Sequence, residues 1–487
     1  MNRSTTLTSS VAAASAGRWS PRLWGLLLVL AGNMLIDALE VSVAVVALPS
    51  VGDDLGLPPT SLQWAMSGFA LGFGSLMLFG ARVVALLGRR RMYLLALLGF
   101  AAASVISALA SDPALFVATR FAKGFCAALT APTGLAILST TFAEGPDRDR
   151  AVSVYTLAGA SGFTAGLLLS GALTSVDWRL TFVFPAPVVL VLYAFCLRLV
   201  PPDPQPGGPR RYDVAGAATF SGALLALVYG IASVPQHGWG SARVWASFAA
   251  TVALLVAFTT VERQVPQPLV RFSVLADPAM RRSALGAAAL NGSYLGLLFI
   301  VTVQTQDHLG WGPMRTALAM VPASLPLAVT ALLSGRLVRR FGAPRLIAVG
   351  AAGPLLGYAL YLRLPAHPHY ATDVLPTMLL VGAGFVASFA ALNMQAVSGF
   401  PADRRGEASG VYQTAVQIGA ALMLVLTAAL VEGYGAPTGA SARAVADGFR
   451  PAVRLVTAVG LLGLLVALTG VLPRRRPADT PLPEERT

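Results

Sequence analysis

Residues 33–49, NMLIDALEVSVAVVALP, set two acidic side chains inside the first long apolar run of the chain. Asp37 and Glu40 lie three residues apart, so on a helix they share one face. A later apolar run contains Arg120 and Lys123 at the same spacing. Charged groups are costly in hydrocarbon, and those that persist there are usually functional. This stretch therefore predicts a membrane helix that carries part of a functional site.

The composition indicates that the whole chain lies in a lipid bilayer. Of its 487 residues, 55% are hydrophobic and 12% are charged, and the mean hydropathy is +0.69. Soluble domains have about 25% charged residues. Because helices satisfy their own backbone groups in lipid, we predict an all-α polytopic membrane protein. We expect a multi-pass protein of the bacterial inner (plasma) membrane, with the lipid bilayer as its surroundings.

Proline, glycine and charge clusters divide the chain into fourteen predicted spans of roughly 20 residues each. They cover residues 22–48, 61–84, 92–110, 114–141, 150–173, 179–200, 213–235, 243–262, 283–306, 314–337, 344–364, 373–398, 407–432 and 451–472. Arginines concentrate at alternate span ends, which by the positive-inside rule puts both termini in the cytoplasm. The net charge of +13 follows this pattern, so we expect no nucleic-acid partner.

A weak internal repeat predicts two bundles of six helices. GARVVALLGRR at 80–90 and SGRLVRRFGAPR at 334–345 both close a span with glycine, apolar residues and arginine. Repeated bundles with a site at their interface are typical of transporters. The predicted domains are a cytoplasmic tail at 1–21, an N-terminal bundle at 22–200, a linker with two inserted spans and an interfacial helix at 201–282, a C-terminal bundle at 283–472 and a cytoplasmic tail at 473–487.

Ordered motifs then resemble the fourteen-span drug:proton antiporter branch of the major facilitator superfamily. In the first span, Glu40 takes the acidic position of D-x-T-I-V-N-V-A-L-P. In the fourth span, Arg120 and Gly124 match R-x-x-Q-G, with Lys123 in the Gln position. The resemblance implies the major facilitator fold and a tryptophan position at Trp64. The residues it implies for gating and helix packing are Gly88, Arg89, Arg90, Gly124, Gly162, Gly166 and Gly171.

The four buried charges allow two interpretations. Depth along antiparallel helices puts Glu40 level with Arg120 and Asp37 level with Lys123, which predicts two stacked acid–base pairs facing the central cavity. They form either a static ladder of buried salt bridges, which locks the first span to the fourth, or a proton-coupling site. In the second interpretation Asp37 titrates and Lys123 is its switchable partner, because arginine does not deprotonate. The resemblance points instead to Glu40 as the titrating acid.

The remaining polar residues within the spans are mostly amides. Each one alone fits an interhelical hydrogen bond. Together with aromatic residues they predict a cavity for bulky amphipathic organic molecules, and we expect substrate binding in the C-terminal bundle, which lacks predicted buried charge. The predicted cavity residues are Asn33, Gln63, Trp64, Asn291, Gln306, Asn393, Gln395, Gln413 and Gln417.

The predicted function is proton-coupled export of drug-like or antibiotic small molecules by alternating access. Its partners would be a drug-like substrate and protons, with the proton gradient as energy source and no cofactor. We expect no enzymatic activity, because no catalytic constellation is found in the sequence. We also expect a monomer without a metal site. The alternatives are a metabolite facilitator or symporter of the same fold, and a non-transporting membrane scaffold or sensor, which has no need of the charge cluster.

Overall fold

A computed structural model describes residues 19–57, 59–142, 145–202, 213–265, 268–331, 334–365, 368–401, 404–435 and 441–471. Residues 1–18 of the first predicted cytoplasmic tail, the whole of the second at 473–487, and residues 203–212 and 266–267 of the predicted linker segment lie outside these ranges. The described residues form helices and no strand. Backbone groups in hydrocarbon must be satisfied within the segment, which favours this outcome.

The helices are numbered in chain order. They are α1 Pro21–Leu55, α2 Pro59–Leu87, α3 Arg89–Leu109, α4 Pro113–Thr141, α5 Pro146–Thr174, α6 Trp178–Val183, α7 Pro185–Leu199, α8 Val214–His237, α9 Ala242–Gln264, α10 Phe272–Ala276, α11 Pro278–Val303, α12 Pro313–Ala331, α13 Ser334–Phe341, α14 Ala343–Tyr361, α15 Leu375–Ser398, α16 Arg405–Tyr434 and α17 Ala442–Val471. π-helical turns extend α11 over Gln304–His308 and precede α15 over Tyr370–Val374.

Twelve helical segments of the described residues are long and apolar enough to cross a membrane. In this set α6 and α7 act as one segment, Trp178–Leu199, and each π-helical turn continues its neighbouring helix. The sixth predicted span is thus broken once, because Pro185 has no backbone N–H to continue the ladder of α6. The chain is a multi-pass helical membrane protein.

Helix α1 is longer than predicted. The sequence suggests an end near Pro49, but the helix continues through this proline and ends at Leu55. Gly56, with φ of 63°, then adopts the left-handed conformation that stops the helix. Proline is tolerated inside membrane helices, where neighbouring groups replace the lost hydrogen bond.

Two other boundaries also differ from the predictions. The interfacial helix expected between the predicted spans 243–262 and 283–306 is reduced to α10, and α11 already begins at Pro278. The expected loop at 435–450 is helical from Ala442, since α17 begins there and continues through Pro451. Ser441 caps this early start by accepting the N–H of Ala444.

The helices form two groups that share an extensive interface. In the N-terminal bundle, α1 to α7, the main contacts join α1 with α5, α2 with α4, and α3 with α4 and α7. In the C-terminal bundle, α11 to α17, they join α11 with α16, and α14 with α15 and α17. The bundles meet where α2 packs on α16 and α5 packs on α12. The inserted helices α8 and α9 pack on each other, and α8 lies against α2 and α16.

Candidate transport site

Glu40 binds both buried cations of the N-terminal bundle. Its Oε2 accepts a hydrogen bond from Arg120 Nη1, and its Oε1 accepts one from Lys123 Nζ at 2.5 Å. Arg120 also donates to the backbone carbonyls of Glu40, at 3.1 Å, and Ala65, at 2.7 Å. All three charged residues have a relative exposure of 0%. One carboxylate therefore holds two cations in a site without solvent.

Aromatic rings close the space around these cations. The Arg120 guanidinium lies 5.2 Å from the centre of the Phe69 ring and 5.5 Å from that of Phe182. Lys123 Nζ lies 5.1 Å from the centre of the Phe100 ring. Cations attract the faces of such rings, and the attraction is stronger when water is absent. The rings stabilise the positive charge that Glu40 alone does not balance.

Asp37 is bound by neutral groups. Its Oδ2 accepts hydrogen bonds from Asn33 Nδ2 at 3.0 Å and Thr130 Oγ1 at 2.8 Å, and the residue is 5% exposed. Among the described residues, no ion pair joins it to Lys123. The predicted Asp37–Lys123 pair is therefore wrong. Asn33, predicted as a cavity residue, is a hydrogen-bond partner of this acid.

The difference arises from the length and direction of side chains. The rise per residue along a helix places only the Cα atoms, whereas helical side chains lean toward the N-terminus of their own helix. Lys123 is long and lies on α4, so its ammonium reaches along the helix to Glu40. The short Thr130, seven residues further along α4, is then the group left level with Asp37.

Three of the predicted packing glycines lie at close helix contacts. A Cβ at Gly162 would collide with the carbonyl oxygen of Leu35, and one at Gly166 with Ser42, both on α1. At Gly124 it would collide with the backbone of Phe69 on α2. These positions allow α1 and α4, which carry the charges, to lie against their neighbours without intervening side chains.

Gly171 has a different partner from the other glycines of α5. A Cβ there would lie 2.5 Å from the Cβ of Ala317 and 3.1 Å from the Cα of Met314, both on α12. This contact joins the two bundles.

At one end of α4, Arg89 donates to Thr140 at 3.1 Å and Arg90 donates to the carbonyl of Leu197 at 2.6 Å.

Gly88 precedes α3 with φ of 93°, a conformation in which other residues are strained. It separates α2 from α3 by a single residue, since α2 ends at Leu87 and α3 begins at Arg89. The turn thus fixes the positions of Arg89 and Arg90 at the start of α3.

Several predicted cavity amides bind other helices. Gln306 donates across the bundle interface to the carbonyl of Val46 at 3.0 Å. Asn291 donates to the carbonyl of Val416 at 3.3 Å, within the C-terminal bundle. Gln417 lies against Gly74 of α2, where a Cβ on the glycine would be 2.5 Å from the glutamine Cβ. These three residues therefore contribute to helix association in this conformation.

The other predicted cavity residues differ in burial and in position. Gln63 is fully buried and accepts from Ser67 at 2.7 Å, and Trp64 packs partly buried against the core. Asn393 and Gln413 are half-buried. Gln395 lines a narrow crevice between helices of the C-terminal bundle, together with Arg282.

A chain of aromatic rings, which the sequence prediction did not name, crosses the bundle interface. Phe163 of α5 lies 5.7 Å from Tyr294 of α11, measured between ring centres. Tyr294 is 4.5 Å from Phe385, which stacks on Phe389 at 5.1 Å. Phe389 is 6.3 Å from Tyr412. In apolar runs such residues look like ordinary core, and Tyr294, Phe385 and Tyr412 are indeed buried, so only the spatial order of the rings distinguishes them.

Comparisons with known proteins agree with this architecture. Residues 30–424 match the family model of the Major Facilitator Superfamily. The chain is 35% identical over 480 residues to the puromycin resistance protein pur8 of Streptomyces alboniger, covering 96% of this chain and 95% of that protein. It is 34% identical over 476 residues to the cephamycin export protein CmcT of Amycolatopsis lactamdurans, covering 96% of each.

Solved structures with the same fold have low sequence identity. A bacterial homolog of the human lysosomal transporter Spinster, inward-facing and occupied, superposes with a TM-score of 0.65 at 16% identity, covering 93% of this chain and 98% of that one. The nucleoside transporter NupG, as the D323A mutant, gives 0.63 at 13% identity, covering 93% and 100%. With its two bundles, its inserted helices and this family match, the chain belongs to the Major Facilitator Superfamily.

Proposed function

We propose that this protein exports drug-like small molecules from the cytoplasm in exchange for protons. The family is a transporter family, and the relatives named above are a puromycin resistance protein and a cephamycin export protein. The proposal includes an alternating-access cycle driven by the proton gradient, in a monomer without enzymatic activity.

The observation that carries the proposal is the contrast between two acids one turn apart. Glu40 is held by two cations, whereas Asp37 has only the neutral donors Asn33 and Thr130. A buried carboxyl without a cation costs more to ionise than one beside a cation, so a proton is more readily kept by the first. We assign proton binding to Asp37. Glu40, Arg120 and Lys123 keep their charges and respond to the protonation of Asp37.

Coupling then requires only that one conformation binds the proton more tightly than the other. When Asp37 is ionised, the four groups sum to zero charge, and when it is neutral they carry one positive charge. A movement of α1 relative to α4 would change the distance between Asp37 and Lys123 and hence the affinity for the proton. In the sequence hypothesis Lys123 pairs with Asp37, whereas in this conformation it pairs with Glu40.

The proposed topology has fourteen spans with both termini in the cytoplasm. Twelve helical segments meet the length and hydropathy needed for a span. We add α2, Pro59–Leu87, and α12, Pro313–Ala331, which occupy the second and tenth predicted positions. The domain limits remain those proposed from the sequence, at 22–200, 201–282 and 283–472.

The proposed substrate surface is the aromatic chain from Phe163 to Tyr412. It joins α5 to α11 across the bundle interface, where a transporter of this fold exposes its site. Aromatic faces contribute both apolar area and preferred ring geometry to a bound organic molecule. Gln413 and Asn393, both half-buried, would supply the few polar contacts.

Everted membrane vesicles test the proposal. The vesicles are given an acidic interior, and uptake of puromycin and a panel of fluorescent aromatic drugs is followed. We expect uptake that requires the pH gradient and stops when it is dissipated, together with proton release into the outer buffer on drug addition. Uptake that ignores the gradient would indicate a facilitator in which the four charges are a static ladder. Vesicles without the protein are the control.

A further inference from the structure

Two buried carboxyl groups face each other at the ends of the inserted helices, far along the chain from α1. Asp213 precedes α8 and is 4% exposed, and Glu262 lies near the end of α9 and is 3% exposed. Because α8 and α9 pack on each other in opposite directions, both groups lie at the same end of this pair of helices, where the charge of Asp213 acts on Glu262. Neither residue was marked as functional by the sequence, because acids at span ends are normally solvated.

Each carboxyl has one oxygen bound to backbone N–H groups. Asp213 Oδ1 accepts from the N–H of Gly216 at 2.7 Å, which caps α8. Glu262 Oε2 accepts from the N–H of Val270 at 3.2 Å, in the segment that leads to α10 and α11. These bonds orient both carboxyl groups and determine which oxygen of each is left without a backbone donor.

The two remaining oxygens have no donor. Among the described residues, neither Asp213 Oδ2 nor Glu262 Oε1 has a hydrogen-bond partner that donates, and both atoms are shielded from solvent. Two ionised carboxylates are acceptors only, so they repel and cannot satisfy each other. A buried polar atom without a partner is costly, and a proton between the two oxygens removes that cost.

Of the described charged groups on adjoining elements, Arg271 and Arg404 bind other residues and Arg263 is exposed. Arg271, in the segment after α9, pairs with Glu407 of α16 at 3.8 Å. Arg404, at the start of α16, donates to Ser273 at 3.1 Å. Arg263 is exposed beside Glu262 on α9. Of the described charged residues, Asp213 is the one whose field acts on Glu262.

We propose that Asp213 and Glu262 bind one proton between them, forming a second proton-binding site separate from the charges of α1 and α4. The shared proton fastens the start of α8 to the end of α9 and, through Val270, to the segment entering the C-terminal bundle. When the proton leaves, two buried negative charges separate, and this fastening opens.

The pH dependence has a definite sign. The shared site exists only in the folded protein, because both acids are solvated in the unfolded chain. Stability therefore includes the contribution of the pair at low pH and loses it as the pH rises through the folded-state deprotonation. Glu262→Gln, whose amide donates to Asp213 without a titrating proton, should keep its melting temperature over the same pH range.

Infrared spectroscopy of the protein in lipid nanodiscs tests the site directly. We expect one protonated-carboxyl band, shifted by deuterium exchange, that disappears in Asp213→Asn and equally in Glu262→Gln. The double variant should lose no more than either single one, because the proton is shared. Spectra are recorded in the Asp37→Asn background, so that failure here is independent of the transport mechanism. Loss of two separate bands, or of carboxylate bands alone, would overturn the proposal.

Two further variants separate the proton from capping and packing. Asp112→Asn makes the same substitution as Asp213→Asn at a comparable cap, at the start of α4, where Asp112 accepts the N–H of Leu115 at 2.9 Å, and it should leave the band unchanged. Gly216→Ala keeps both acids but puts a Cβ about 2.5 Å from Asp213 Oδ2, so the band should shift or vanish. Stoichiometric calcium binding in calorimetry, lost in Glu262→Gln, would make this a metal site and overturn the assignment.

Discussion

In the N-terminal bundle α5 lies against α1 at Gly162 and Gly166, and in the C-terminal bundle α16 lies against α11 at Gly419 and Gly292. At each contact an added Cβ would meet the backbone or a side chain of the other helix. The space beside these contacts differs. The first bundle encloses a carboxylate with two cations, whereas the second encloses stacked aromatic rings around Tyr294.

The two bundles share close helix packing, but among the described residues the buried charge cluster belongs to the N-terminal bundle. Close packing through small residues serves both bundles, because helices in lipid associate by contact between backbones rather than by a hydrophobic driving force. The charges serve one bundle only, and buried ion pairs often add little net stability over apolar packing. A protein that needed only a rigid pair of bundles would have no reason to keep them.

The largest expected effect comes from removing the acid that holds both cations. Glu40→Gln leaves Arg120 and Lys123 buried without a counter-charge, which should lower the free energy of unfolding by about 3–5 kcal/mol. Thermal melting monitored by size-exclusion in detergent checks this. Adding Lys123→Met to the variant should restore part of the loss, since one unpaired cation is then gone. Wild-type stability in the single variant would contradict an ionic role for Glu40.

The neighbouring acid should behave in the opposite way. Asp37→Asn keeps the size of the side chain and its hydrogen bond from Thr130, so the melting temperature should remain close to wild type. Gradient-driven drug uptake in everted vesicles should fall by about 100-fold, near the upper range of coupling between sites. Drug binding to the purified variant, measured by fluorescence, is the control and should persist. Unchanged uptake would move the titrating role to Glu40.

Packing variants ask whether the two bundles are equivalent in their helix contacts. Gly162→Ala meets the carbonyl of Leu35, and Gly419→Ala meets the backbone of Ala288. Each should cost about 1–3 kcal/mol of stability, as overpacking does. Gly240→Ala, which has no neighbouring atom within 4 Å, is the matched control. A large cost in only one bundle would show that the packing is not shared.

Charge was the most readable feature of the sequence. Asp37, Glu40, Arg120 and Lys123 stand out because an apolar run contains few charges, and the structure brings these four residues to neighbouring turns of α1 and α4. The predicted pair of Glu40 with Arg120 is present in the structure, whereas Lys123 binds Glu40 and not Asp37. The partner of Lys123 was not readable, because it depends on side-chain length and direction rather than on spacing.

Other parts of the site left no distinctive signal. The rings from Phe163 to Tyr412 come from four helices, and in each helix they are ordinary apolar residues. Asp213 and Glu262 lie 49 positions apart at span ends, where acids usually meet water. Helix existence was predictable from hydropathy, whereas the ends at Leu55 and Ala442 were set by a left-handed glycine and a serine cap.

The smallest expected effect tests the aromatic half of the comparison. Phe389 is half-buried, stacks on Phe385 at 5.1 Å and lies on the ring chain that reaches Phe163. Phe389→Leu keeps the apolar volume but removes a ring contact of about 0.5–1.5 kcal/mol, so the affinity for aromatic drugs should fall by about 2- to 10-fold. Because only ring geometry is lost, aliphatic substrates of similar size should be exported as before, and the dependence on the pH gradient should not change.

A matched variant separates this ring effect from a general loss of aromatic packing. Phe248 of α9 stacks on Trp239 at 6.4 Å, in the inserted pair of helices and outside the ring chain. Phe248→Leu should leave the export profile as it is. If both variants reduced export of every compound equally, the rings would be core packing in each place, and the division between a charged coupling bundle and an aromatic binding bundle would fail. A selective loss in Phe389→Leu alone would assign drug recognition to the C-terminal bundle, because its stacked rings would then discriminate between substrates that the charges of the other bundle treat alike.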